Sequence, residues 1–96
     1  GTVRLLTDPT FDAAGGNYDI GVAVLHKTGA PSLASTTLGT IDAVLLSHDQ
    51  HADNLDIAGR AFLPKAGSVF TTPVAASRLE LSNVTGLETW QSAELE

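Results

Sequence analysis

The run Ala43-Val44-Leu45-Leu46, inside the segment Ile41–Ser47, limits most strongly what this chain can fold into. Four consecutive apolar residues leave no side for water, so they mark a strand covered on both faces, as in parallel sheets. The flanking segments fit that architecture. Residues 3–7 read as a short strand stopped by Asp8-Pro9, because proline cannot continue a ladder. With Asp53 or Asn54 as N-cap, Leu55, Ile57, Ala58, Ala61 and Phe62 recur at helical spacing to about Leu63, and Pro64 and Gly67 end that helix. Residues 68–71 form the next strand. Thr72-Pro73 opens a second helix to about Leu81, with threonine as cap and proline in the first turn. Residues 84–90 read as a last strand with a turn at Gly86. Between the first and central strands, residues 10–40 are rich in Gly, Ser, Thr and Ala, with Ile20–Leu25 as a strand candidate. So long a stretch is expected to hold partial structure draped over a site. The order is strand, long loop, strand, helix, strand, helix, strand: an α/β chain with parallel strands joined by right-handed crossovers.

Composition sets the outer limits. The chain has 96 residues, 43% hydrophobic and 17% charged, enough apolar content for one small domain spanning residues 1–96. It has no cysteine, so disulfides, cysteine-ligated zinc and a cysteine nucleophile are excluded. A net charge of −6 opposes a phosphate backbone, so no nucleic-acid partner is expected. No apolar run approaches the roughly 18–20 residues of a membrane span, and no basic-then-apolar leader opens the sequence; the expectation is a cytoplasmic chain without a membrane partner. The abrupt apolar start after Gly1 and the lack of a polar tail read as an interior piece of something longer.

The chemistry lies in Ser47-His48-Asp49-Gln50-His51-Ala52-Asp53-Asn54-Leu55-Asp56, between the central strand and the first helix. Ligands of open α/β sheets sit outside the carboxyl ends of the strands, which is where this turn falls. Two of the three histidines lie four residues or fewer apart beside three aspartates. Imidazoles and carboxylates suit Zn²⁺, Fe²⁺ or Mn²⁺, and a tight turn can converge such side chains on one ion. On spacing alone a solvated polar turn, with Asp53 as a helix cap, competes on even terms. Asp56 reads better as an acid in the first helical turn than as a ligand, and Asp49 as an exposed side chain.

A buried strand, then S-H-D, one residue, and H-x-D followed by L-D at the head of a helix, resembles the metallo-β-lactamase fold hydrolases, whose motif here is H-x-H-x-D-H. The strand ending Leu5-Leu6-Thr7-Asp8-Pro9 resembles the aspartate-terminated strand that precedes the motif, and the flavour is that of the ascorbate-6-phosphate lactonase-like branch. The resemblance implies a partial αββα sandwich, with this chain supplying roughly the first half. It implies that His48 and His51 hold the first metal and that Asp53 binds a second metal and orients the attacking water. Zinc is the implied ion, with manganese or iron also accepted, and Asp8 would support the motif loop. Asn54 takes the place of the motif's final histidine, and no histidine follows it, which points to a mononuclear or altered centre whose remaining ligands come from elsewhere.

Two functions follow as expectations. The first is a metal-dependent hydrolase cleaving an ester, lactone, phosphodiester or amide of a small-molecule substrate, with Asp53 in a catalytic role. The alternative is a non-catalytic α/β binding or assembly module whose metal site has decayed. A half-domain would leave apolar faces bare, so association with another chain or with the missing half is expected. His26, next to Lys27, reads as an exposed loop residue rather than a substrate contact. Ser47 lacks the G-x-S-x-G elbow of a serine nucleophile.

Overall fold

The computed structural model describes residues 2–19 and 23–95. The elements run β1 (Leu5–Thr7), β2 (Asn17–Asp19), β3 (Val24–His26), β4 (Ala43–Leu45), α1 (Ile57–Phe62), β5 (Ser68–Thr71), α2 (Pro73–Leu79) and β6 (Val84–Gly86). Single turns of 3₁₀ helix lie at Ser35–Thr37 and Leu63–Lys65. Strands β1, β4, β5 and β6 form one parallel sheet in that order, and β2 pairs with β3 antiparallel in a second, two-stranded sheet. The chain is a small α/β domain with mixed sheets and two helices. Among the described residues no helix is long and apolar enough to cross a membrane.

The parallel sheet grows in one direction, and right-handed crossovers then place every connection on the same face. Leu6, Val44, Val69 and Val84 stand in register across that face. Leu55, Phe62 and Leu63 close the core over them, with Phe11 and Leu79 packed against it. The Phe11 ring meets Phe62 edge-on at 5.5 Å between centroids. The opposite face is only partly covered: Ala43 is buried there, beside Ala93 and Leu95. Leu45 pairs with Phe70 there, and Leu5 and Leu45 are 55% and 41% exposed. Val3, Leu87 and Leu95 join Leu5, Leu45 and Phe70 around a shallow groove of about 280 Å³ on this face. The four-residue apolar run therefore marks a strand of the parallel sheet, but only Ala43, Val44 and Leu46 are buried.

Several boundaries differ from the sequence reading. The first helix is capped by Asp56, whose carboxylate accepts the Gly59 amide, because residues 51–54 form a turn before it. Its last predicted turn is 3₁₀, starting at Leu63 with Pro64 in its first positions. The second helix stops at Leu79, where Glu80 takes a left-handed conformation (φ 53°), two residues before Leu81. The last strand is only Val84–Gly86. Thr72 caps the second helix through its hydroxyl as expected. In the long stretch the strand is Val24–His26; residues 20–22 of the expected Ile20–Leu25 strand lie outside the described residues. Its partner Asn17–Asp19 has no alternating apolar pattern to announce it.

Candidate functional site

The turn after β4 leaves the carboxyl end of the sheet beside the turn after β1. Asp8 follows β1 with a left-handed backbone (φ 38°), tolerated by aspartate better than by most residues. Its Oδ1 accepts the Ser47 amide at 2.8 Å and its Oδ2 accepts Asn54 Nδ2 at 3.4 Å. Asp8 thus ties the turn after β1 to the turn after β4.

On that turn His48 and His51 come together. Their rings meet edge-on, 5.1 Å between centroids, with His48 Nε2 3.3 Å from His51 Nδ1. Two nitrogens bound to one tetrahedral zinc at roughly 2.0–2.1 Å stand about 3.3–3.4 Å apart, so the pair has the separation a shared ion requires. The same separation suits one ring N–H donating to the other ring. Ser47 Oγ lies 3.0 Å from His48 Nδ1 and accepts from Asn54 Nδ2 at 3.1 Å. Asp53 is exposed and lines a neighbouring cleft of about 320 Å³ with Tyr18, His26 and Lys27. Among the described residues no three His, Cys, Asp or Glu side chains gather where one ion could touch all of them. Of the three candidate ligands, the structure brings two together and leaves Asp53 apart.

Asp49 differs from its expectation. It is buried, and both its oxygens accept from Arg78 Nε of α2 at 3.1 and 2.9 Å, with Arg78 Nη2 also bonded to Oδ1. The Arg78 guanidinium holds the Asp49 carboxyl below the usual carboxylate range, and Asp49 in turn raises the guanidinium's own pKa. A buried carboxylate needs such a partner, and no local pattern reveals one that lies 29 residues away.

Two more acids knit the floor of the site. Asp56 accepts the amides of Phe11 and Asp12 at 2.9 and 2.7 Å, the Gly59 amide at 2.7 Å, and Lys27 Nζ at 3.1 Å. Asp12 returns the arrangement, accepting the Ala58 amide at 2.7 Å, the Ile57 amide at 3.3 Å and the Tyr18 hydroxyl at 2.7 Å. Burial pushes the Asp12 carboxyl up, but the Tyr18 hydroxyl, the two helix amides and the Lys27 charge together bring it below its ordinary value. The Asp12 hydrogen bond, with desolvation and the nearby charges of Asp12 and Asp56, pushes Tyr18 up to about 12. Sequence reasoning passed over Asp12, Tyr18 and Arg78. Asp12 sits in a Gly/Ala-rich loop, and its helix partners are 45 and 46 residues away. His26 is exposed, as expected, and bonds Asn17 across the β2–β3 pair.

Comparison with family models, curated proteins and solved structures finds no match to this chain.

Proposed function

We propose that this chain carries the histidine half of a hydrolytic metal centre in a metallo-β-lactamase-like αββα fold, acting on an ester, lactone, phosphodiester or amide. The observation that carries the reading is the His48–His51 pair, 3.3 Å between facing nitrogens, on the turn at the carboxyl end of a parallel sheet. His48 and His51 would hold zinc, or manganese or iron, and Asp53, two residues past His51, would complete the set, since Asp49 is held by Arg78. When bound, such an ion acidifies water so that a nucleophile is available near neutral pH. Asp53 would orient that water and hold its proton. The exposed Leu5 and Leu45 on the outer sheet face support the same reading, since a sandwich lays a second sheet there.

A non-catalytic module is the second reading. It is favoured by the Asn54 carboxamide, which is turned toward Asp8 and Ser47, and by the separation of Asp53 from the histidine pair.

The test is zinc binding by the full chain after dialysis, measured by elemental analysis and competition titration, for the wild type, His48→Ala and His51→Ala. The hydrolase reading expects about one zinc per chain and a loss of affinity of at least about 100-fold in each variant. A zinc-free wild type that keeps its melting temperature in chelator overturns it in favour of the module.

A further inference from the structure

Asn54 stands where the resemblance puts the last histidine of the motif, and its amide nitrogen is already engaged. Its Nδ2 donates to Ser47 Oγ at 3.1 Å and to Asp8 Oδ2 at 3.4 Å, which uses both amide hydrogens. An ionised carboxylate only accepts, so the contact with Asp8 fixes which end of the carboxamide is nitrogen. Having accepted from Asn54, the Ser47 hydroxyl has one hydrogen to give, and His48 Nδ1 lies 3.0 Å away. When the hydroxyl gives its hydrogen to that nitrogen, the ring proton belongs on Nε2, facing His51 Nδ1 at 3.3 Å. In that tautomer Asp8, Asn54, Ser47, His48 and His51 form a single series in which every donor meets an acceptor.

We propose that Ser47 and Asn54 are positioning residues that hold the His48 ring and, in the metal-free chain, favour its Nε2-protonated tautomer. The functional meaning rests on the reading of His48 as a ligand; the relay itself belongs to the metal-free chain. To offer its Nε2 lone pair to a cation, His48 must carry its proton on Nδ1 instead. Ser47 Oγ has a second lone pair to accept that proton, so one hydroxyl serves both tautomers by turning its hydrogen. Partners of this kind behind a metal-binding histidine commonly set affinity by about 10–100-fold.

The experiment uses the full chain with ¹⁵N-labelled histidine, metal-free at about pH 8, above the ordinary imidazole range. Long-range ¹H–¹⁵N spectra report which ring nitrogen of His48 carries the proton, with His48→Ala identifying the signals. The relay expects a protonated Nε2 and an unprotonated, hydrogen-bonded Nδ1 in the wild type. Ser47→Ala and Asn54→Ala should shift the Nδ1 resonance toward its free position, while Ser47→Thr keeps it and His26 stays unchanged. A proton on Nδ1 in the metal-free wild type, or spectra unmoved by both alanine variants, overturns the relay. In a zinc titration the same alanine variants should weaken binding about 10–100-fold with unchanged melting temperature. A wild type that takes no zinc overturns the hydrolase reading, whereas a tautomer that still follows Ser47 and Asn54 upholds the relay.

Discussion

Removing the carboxylate of Asp56 should cost far more than a helix cap. A lost cap alone destabilises by about 1 kcal/mol. In this chain the same side chain, 3% exposed as a residue, also accepts the Phe11 and Asp12 amides and the Lys27 ammonium. Hydrogen bonds to a charged group contribute about 1.5–3 kcal/mol each, but they are not additive, and the half-buried donors at Phe11, Asp12 and Lys27 regain some water. We expect Asp56→Ala to lose about 3–4 kcal/mol, against a total of about 5–14 kcal/mol for a chain of 96 residues. With an m-value of about 1–1.5 kcal/mol/M, the urea midpoint should fall by roughly 2–4 M. Asp56→Asn keeps one oxygen and turns an amide toward two donors, so it should lose about 2 kcal/mol. Far-UV circular dichroism is the right probe, because Trp90 is 98% exposed and its surroundings change little on unfolding. Losses of 1 kcal/mol or less in both variants would show that Asp56 is merely a cap and that the long-range bonds contribute nothing.

Other perturbations read other parts of the structure. Tyr18 is the sole tyrosine, so phenolate absorbance reports it alone; its midpoint should lie near 12 rather than 10.0, and Asp12→Asn should bring it down. A native midpoint at 10 refutes the Tyr18–Asp12 bond. Because the folded pKa is raised, the stability this bond gives is present below pH 10.0 and lost as pH rises toward about 12. Asp12 and Asp49 carry folded pKa values depressed below 3.8, so they stabilise above that pH and lose the effect as pH falls through their folded values. Urea midpoints that stay flat from pH 6 down to pH 2 would contradict this. Gly59→Ala should destabilise despite alanine's better helix propensity, since a Cβ there overlaps the Pro9 carbonyl oxygen and lies 2.7 Å from its carbon. A thermal midpoint equal to or above wild type would refute the close approach.

What the sequence made legible is what short-range physics controls. The order of the main elements, the parallel pairing around Ala43–Leu45 and the Thr72 cap each rest on a few neighbouring residues. Boundaries slipped where two local solutions compete: Asp53, Asn54 and Asp56 are all good caps, and only the amides of Phe11 and Asp12, far upstream, select Asp56. At the candidate site the histidine pair was legible because its members are three residues apart. The burial of Asp49 was not, because it depends on an arginine in the second helix. Leu45 shows the same limit in reverse, since an apolar run records what a face requires and not whether this chain supplies the cover.

The registers also set an order of assembly. Pairing β5 with β6 joins residues 15 apart (Val69 with Val84), and pairing β4 with β5 joins residues 25 apart (Ala43 with Ser68). Pairing β1 with β4 joins residues 38 apart (Leu5 with Ala43). Closing the longest of these loops rather than the shortest adds about 0.8 kcal/mol of chain entropy, with only three residues of β1 to offset it. Strand β1 should therefore dock last and detach first, and Asp8 travels with it. Native-state hydrogen exchange should show the Asp8 amide, bonded to the Leu45 carbonyl, opening at lower free energy than Val69, and equal protection would refute this. The polar relay behind His48 would then exist only while that edge strand is in place, so the site's competence is a local equilibrium, poised below the stability of the remaining βαβαβ unit.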